Sequence, residues 1–86
     1  RRRNNAAPVY PPLSRRRGEE GVVVLELLIT TAGRVTEIKI SQSSGFPRLD
    51  EAALEAVRRW RYEPARRGGE PIEYRYLQPV KFSLQD

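Results

Sequence analysis

The chain of 86 residues contains no cysteine and no histidine. It therefore forms neither disulfides nor thiolate metal sites, and it lacks the commonest metal ligand and general base of proteins. The carboxylates of Glu51 and Glu55 are one helical turn apart, but they have no third ligand. The hydroxyls of Ser43 and Ser44 have no base to activate them. The sequence predicts no enzyme: no catalytic residue, no metal site and no cofactor.

Long hydrophobic stretches are absent as well. No run of about 18 apolar residues is present to span a bilayer, and no signal peptide is recognisable. The opening Arg1-Arg2-Arg3-Asn4-Asn5 is typical of the cut end of a longer protein. We expect residues 1–7 to be a disordered basic tail or the end of a linker, and residues 8–86 to form one small domain.

Arginine is abundant, and it supplies nearly all of the net charge of +5. Such a balance allows a nucleic acid, an anionic lipid or an acidic protein as partner. The arginines are scattered over several segments, however, and Tyr74 and Tyr76 lie in a segment without an RNA-binding signature. We therefore expect no nucleic-acid partner and keep a small basic nucleic-acid-binding domain as the less favoured alternative.

One amphipathic helix is predicted between Pro47, which suits a first helical turn, and Pro64, which ends it. At about 100° per residue, one side collects the apolar residues Leu49, Ala53, Ala56, Val57 and Trp60. The opposite side carries Glu51, Glu55, Arg58 and Arg59. We expect Trp60 to be buried, Glu55 to pair with Arg59, and a hydroxyl of Ser43-Ser44-Gly45 to cap the helix.

Three strands are predicted around this helix. The first, from Gly21 to Thr31, is apolar on both faces and is therefore expected at the centre of a sheet. A turn at Gly33 leads to the second strand, from Arg34 to Ser41, where Val35 is out of phase with Ile38 and Ile40. A β-bulge near Thr36-Glu37 would restore the alternation.

The last strand is predicted from Ile72 to Leu84, after a mobile loop at Ala65 to Pro71. Pro79 assigns it to a sheet edge, because proline cannot donate a ladder hydrogen bond. The predicted fold is α+β, with a ββαβ order and a preceding extended arm. Its three-stranded antiparallel sheet has the order 2-1-3, and one helix packs on one face. The arm around Tyr10, or a second copy, is expected to cover the other face at Val22, Val24 and Leu28.

The sequence also resembles the TonB C-terminal domain family over nearly its whole length, from about Pro8 to Leu84. The matching segments are Pro8-Val9-Tyr10-Pro11, Arg15-Arg16-Arg17-Gly18, Gly21-Val22-Val23, Gly33-Arg34-Val35, Ser43-Ser44-Gly45, Leu49 to Leu54, Val57 to Pro64 and Pro79-Val80-Lys81-Phe82. Ala7 stands where the best-known members carry a glutamine. The stretch from Leu49 to Pro64 is the most specific signature.

This resemblance implies a periplasmic domain of a protein anchored in the inner membrane. Such a domain grips the TonB box of an outer-membrane transporter and transmits force for the uptake of iron-siderophores or cobalamin. Proton-driven motor proteins of the inner membrane act through the N-terminal region that this chain lacks. The alternative is a TonB- or TolA-like domain of another envelope system, and a homodimer formed by strand exchange stays open.

The expected partner-binding residues lie in the arm and in the last strand. They are Pro8, Val9, Tyr10, Pro11, Tyr76, Leu77, Gln78, Pro79, Val80, Lys81, Phe82, Ser83 and Leu84. We expect the transporter motif to add a strand to this edge through backbone hydrogen bonds. If Pro79 faces outward, then Lys81 and Ser83 also face outward as donors, while Val80 and Phe82 pair with the first strand.

Overall fold

The computed structural model describes residues 5–85. Two helices, α1 (Pro12–Arg16) and α2 (Pro47–Val57), accompany five strands. The strands are β1 (Gly21–Ile29), β2 (Val35–Gln42), β3 (Ala65–Arg67), β4 (Glu70–Ile72) and β5 (Tyr74–Phe82).

The main sheet has three antiparallel strands in the order β2-β1-β5. The predicted order 2-1-3 is confirmed, with β1 at the centre and the strand that carries Pro79 at an edge. The pairing of β5 with β1 is continuous from Gly21 opposite Phe82 to Ile29 opposite Tyr74. The strand that precedes α2 therefore occupies one edge of the sheet, and the strand that follows it occupies the other.

The predicted bulge in β2 is also present. Leu28 lies opposite Glu37 and Ile29 lies opposite Val35, so that Thr36 is the extra residue. A second irregularity, not predicted, places Val24 opposite Gln42 and Leu25 opposite Ile40. The bulge at Thr36 lets Val35 and Ile38 both pack against the core although they are three residues apart.

The core lies between α2 and one face of the sheet. Its buried side chains are Val23, Leu25, Leu27, Ile29, Leu49, Ala53, Val57, Trp60, Tyr62, Val80 and Phe82. Helix α2 contributes the side predicted from the periodicity, and Trp60 is only 3% exposed. The turn between β1 and β2 packs against the segment that follows α2. The Tyr62 N–H donates to the Gly33 carbonyl over 2.8 Å. A Cβ at Gly33 would lie 2.1 Å from the Tyr62 carbonyl oxygen, so only glycine fits there.

The start of α2 differs from the prediction. Its N-cap residue is Phe46, and no side chain caps the helix amides. Instead, the Asp50 carboxylate reaches back from the first turn and accepts hydrogen bonds from the Ser44 N–H (2.9 Å), the Ser44 hydroxyl (2.7 Å) and the Ser43 hydroxyl. The serines therefore hold the acid, rather than capping the helix. Glu55 pairs with Arg58 at 2.7 Å, three residues away, and not with Arg59 as predicted.

Two segments near the C-terminal third were also predicted wrongly. The stretch from Ala65 to Pro71, expected to be a mobile loop, forms the β3–β4 hairpin. Gly68 and Gly69 make its two-residue turn with φ values of 56° and 82°, a conformation that favours tight hairpins. The last strand consequently runs from Tyr74 to Phe82 rather than from Ile72 to Leu84, so Ser83, predicted as an outward donor, lies beyond it.

The arm packs on the helix side of the sheet, not on the opposite face as expected. The Trp60 indole N–H donates to the Ala6 carbonyl over 2.8 Å, and the Asn5 side chain bonds both backbone groups of Arg61. Hydrogen-bonded structure thus extends to Asn5, inside the predicted tail, whose residues 1–4 lie outside the described residues. The opposite face is not covered by the arm, and Val22 is 39% exposed there.

Candidate functional site

The outer edge of β5 is the candidate site, and the alternation of backbone groups along β1 and β5 determines which groups it presents. The Thr30 N–H, just after β1, donates to the Arg34 carbonyl on the β2 side. Backbone groups alternate along a strand, so the odd-numbered residues of β1 direct theirs toward β5. Leu25 lies opposite Gln78 and Val23 lies opposite Val80, so Gln78 and Val80 bond inward. Pro79 between them points outward.

The outward positions of β5 are therefore Arg75, Leu77, Pro79 and Lys81. Arg75, Leu77 and Lys81 each offer an N–H and a carbonyl, and within residues 5–85 no further strand pairs with them. Pro79 offers only its carbonyl, since proline has no N–H. The continuous pairing around Pro79 agrees with this orientation, because an inward proline would break a ladder bond.

The Gln78 side chain forms a hydrogen bond with the Pro79 carbonyl, the one hydrogen-bonding group that Pro79 presents outward. Its side chain is buried, with 5% of the residue exposed, and its Nε2 donates to the Pro79 carbonyl over 2.7 Å. Its Oε1 accepts from the hydroxyl of Tyr62, also over 2.7 Å. The Tyr62 ring is itself buried and meets Tyr76 edge-on, with 5.6 Å between the ring centroids.

The C-terminal end of the strand is held by β1 and by the arm. Glu20 accepts the Leu84 N–H over 2.8 Å, and the Ser83 hydroxyl donates to the Gln85 carbonyl. The Tyr10 ring meets Phe82 edge-on at 5.4 Å, and its hydroxyl donates to the Glu19 carbonyl. Burial is the main factor that raises the pKa of the Tyr10 hydroxyl, and the nearby Glu20 carboxylate raises it further.

The predicted arm residues are divided between two places. Tyr10 contacts Phe82 at the end of β5. Pro8, Val9 and Pro11 line an open groove of about 860 Å³ between the arm and the Ala52–Ala56 side of α2. Val9 is 77% exposed and projects away from the core. The structure therefore joins Tyr10 with the edge and leaves the other arm residues beside the helix.

The side chains that flank the edge differ between the two faces of the sheet. On the helix face, Gln78, Val80 and Phe82 are buried. On the open face, Leu77 is 56% exposed, and the Arg75 guanidinium lies 3.8 Å from Glu26 and 3.7 Å from Glu37. Sequence reasoning identified the strand but missed the roles of Gln78, Tyr62 and Glu20. Only a known register could have indicated those roles.

Residues 5–85 offer neither a metal site nor a membrane-spanning helix. This part of the chain contains no cluster of three or more acidic side chains able to hold a metal ion. None of its helices is long and apolar enough to cross a membrane.

A free antiparallel edge is the kind of surface on which some protein-binding modules accept an extended peptide as an added strand. Comparison with known proteins places the chain within a family. Residues 6–84 match the family model for the Gram-negative bacterial TonB protein C-terminal. The chain belongs to the TonB C-terminal domain family, as its resemblance to that family predicted.

Relatives and solved structures agree with this membership. The chain is 42% identical over 81 residues to Protein tonB2 of Pseudomonas aeruginosa, covering 94% of this chain and 30% of that protein. It is 36% identical over 78 residues to Protein TonB of Vibrio cholerae, covering 91% and 32%. The solution structure of the Pseudomonas aeruginosa TonB C-terminal domain matches all of this chain and 87% of that one, with a TM-score of 0.81 and 28% identity. The chain thus spans about a third of the length of these curated relatives.

Proposed function

We propose that this domain docks the TonB box of an outer-membrane transporter as an added strand on the outer edge of β5. In this proposal it is the periplasmic part of an inner-membrane-anchored energy transducer and carries no catalytic activity. It transmits force from proton-driven motor proteins, which act through the rest of the protein, for the uptake of iron-siderophores or cobalamin. Membership of the TonB family supports this role.

The observation that carries the proposal is the outward row of backbone groups on β5. Arg75, Leu77 and Lys81 present N–H and carbonyl groups in the alternating pattern that a further strand requires. The Tyr62–Gln78 network and the packing of Val80 and Phe82 hold this edge on the core. A partner strand would therefore meet a preformed template, which lowers the cost of ordering it.

The opposite edge of the sheet is a poorer template. Strand β2 has register irregularities at both ends of its pairing with β1. Bulges twist an edge away from regular pairing and interrupt the alternation of outward groups. Strand β5 pairs with β1 over nine consecutive residues without such a break. This difference favours β5 over β2 as the docking edge.

Docking through backbone hydrogen bonds predicts the affinity, the salt dependence and the load-bearing behaviour of the contact. Each hydrogen bond contributes about 1 kcal/mol net, so an edge with three complete positions supports a modest affinity. Affinity should depend only weakly on salt, because the bonds join neutral groups. A load along the strand direction would be shared among these bonds, which suits a reversible contact under force.

Titration of the ¹⁵N-labelled domain with synthetic TonB-box peptides from transporters of the same bacterium tests the proposal. Lys81→Pro removes an outward donor and should weaken binding roughly tenfold, while thermal unfolding stays near that of the parent. Lys81→Ala keeps the backbone donor and should change binding much less. Ile40→Pro is the matched control, because Ile40 lies opposite Leu25 and its N–H faces outward on β2.

Equal peptide affinity of Lys81→Pro and the parent would exclude this edge. Single-stranded DNA is titrated in parallel to test the less favoured alternative. Salt-sensitive shifts at the arginine clusters with DNA, together with no saturable shift with any peptide, would favour a nucleic-acid-binding function.

A further inference from the structure

We propose that Gln78 and Pro79 fix the register of the docked peptide by removing one hydrogen-bond donor and weakening one acceptor in the middle of the β5 edge. The inference rests on the proposed strand addition and specifies how it occurs. It makes Gln78, a buried side chain that does not touch the partner's side chains, a positioning residue for the partner's backbone.

The middle of the β5 edge lacks one hydrogen-bond donor. Pro79 points outward between Leu77 and Lys81, and it has no N–H to offer. A partner carbonyl that lies opposite Pro79 therefore finds no donor on β5. Arg75, Leu77 and Lys81 keep their outward N–H groups, so the donors along this edge are spaced by two residues and then by four.

The outward acceptor at the same place, the Pro79 carbonyl, is already bonded by Gln78. A peptide carbonyl can only accept hydrogen bonds, so the Gln78 amide must direct its nitrogen, not its oxygen, toward Pro79. The oxygen then accepts from the Tyr62 hydroxyl, and both bonds measure 2.7 Å. Each group of the carboxamide thus has a partner only in this orientation. The Gln78 nitrogen therefore engages one of the two lone pairs of the Pro79 carbonyl, so β5 offers a weakened acceptor at the same place as it lacks a donor.

Burial makes this gap a fixed feature of the edge. Gln78 is 5% exposed and the Tyr62 side chain is fully buried in the core. Turning the carboxamide away from Pro79 would leave buried polar groups without partners, which costs more than a solvent-exposed rearrangement. The gap therefore persists when a strand is added.

The consequence is a rule for the partner's backbone. The bound segment makes hydrogen bonds at Leu77 and Arg75 on one side of the gap and at Lys81 on the other side. In between, one partner carbonyl finds no donor on β5, and one partner N–H meets only a carbonyl that already accepts from Gln78. An extended peptide with a proline or another N-substituted residue at that one position should fit, whereas the same residue shifted by two positions should not. Such a gap distinguishes one register from its neighbours, which a uniform edge does not do.

An N-methyl scan of the peptide that binds most tightly in the titration above tests this proposal. Each variant peptide carries one methylated amide. With the parent domain, the positions where methylation weakens binding should be spaced by two residues along one part of the peptide and by four across the gap. Methylation at the gap itself should change the affinity less than twofold.

Two protein variants test the same gap from the other side. Pro79→Ala supplies a new outward N–H and should tighten binding about two- to tenfold. Gln78→Met cannot donate, so it frees the Pro79 carbonyl, and the insensitive position in the scan should become sensitive. If Gln78→Met does not fold, the spacing of sensitive positions in the scan with the parent domain still tests whether the gap exists.

The outcomes separate this inference from the proposed function. Sensitive positions at every second residue throughout the peptide would overturn the gap and leave strand addition intact. An unchanged affinity of Pro79→Ala would also count against the gap. Failure of every peptide to bind at β5, with Lys81→Pro indistinguishable from the parent, would overturn both.

Discussion

At the scale of single residues, Trp60 connects the core with the arm. It lies beyond the last residue of α2, its ring is buried in the core, and its indole N–H bonds the Ala6 carbonyl. The helical periodicity correctly predicted that this side chain would be buried. The contact with the arm was not predictable, because no local pattern relates residue 6 to residue 60.

Trp60→Ala should lower the free energy of unfolding by roughly 3–5 kcal/mol, since it removes a large buried ring and leaves a cavity. Urea unfolding followed by circular dichroism measures this difference. Trp60→Phe is the matched control, because it keeps an aromatic ring and removes the N–H. We expect it to lose much less stability while the Asn5 and Ala6 amide resonances shift toward free-chain values. A loss below about 1 kcal/mol for Trp60→Ala would contradict the burial.

Residues that bond across the sheet edge were the hardest to predict. Pro79 indicates an edge strand from the sequence alone, because proline has no N–H to donate to a second neighbouring strand. Gln78 carries no such signal, since a glutamine between Leu77 and Pro79 is equally compatible with an exposed position. Only the register with Leu25 places it inward and next to Tyr62.

Among the elements, helix α2 depends on the Asp50 carboxylate at its first turn. Burial would raise the pKa of Asp50, but hydrogen bonds from Ser43 and Ser44 outweigh that effect and hold the pKa below its usual value. The folded pKa lies below the unfolded one. The stabilising contribution is therefore complete above the unfolded value of about 4 and is lost as the pH falls through the lower, folded value.

Asp50→Asn should lower the free energy of unfolding by about 1–2 kcal/mol at pH 7, because hydrogen bonds to a charged acceptor are lost. The difference from the parent should shrink as the pH falls from 5 toward 2. Urea unfolding at pH 7, 4 and 2.5 measures it. Glu51→Gln, on the exposed side of the same turn, is the control. A difference that stays constant over this range would contradict the proposed role of the carboxylate.

The strands show where sequence patterns succeed and where they fail. The apolar patterns and the phase change at Val35 predicted three strands and one bulge, and the doubly apolar β1 together with Pro79 predicted their order. The β3–β4 hairpin was missed, because Ala65–Arg67 and Glu70–Ile72 contain no apolar alternation. Its signal is the Gly68-Gly69 pair, which permits positive φ at both turn positions but is equally common in linkers.

At the scale of the whole molecule, the domain has one covered and one open sheet face. The arm and α2 lie on the same side of the sheet. The other face carries the exposed side chains of Val22 and Leu77 together with the charged side chains of Glu26, Lys39 and Arg75. Those charges keep the open face from being a continuous apolar patch. The functional surface proposed here is the edge between the two faces.

Amide hydrogen exchange, measured residue by residue with and without saturating TonB-box peptide, tests this claim most directly. In the free domain, the inward amides of Tyr76, Gln78, Val80 and Phe82 should exchange slowly, and the outward amides of Arg75, Leu77 and Lys81 should exchange fast. The peptide should slow exchange at Leu77 and Lys81 by about tenfold or more, with little change at Ile38 and Ile40 of β2. Unchanged exchange at Leu77 and Lys81 under saturation, or new protection confined to β2, would contradict docking at β5.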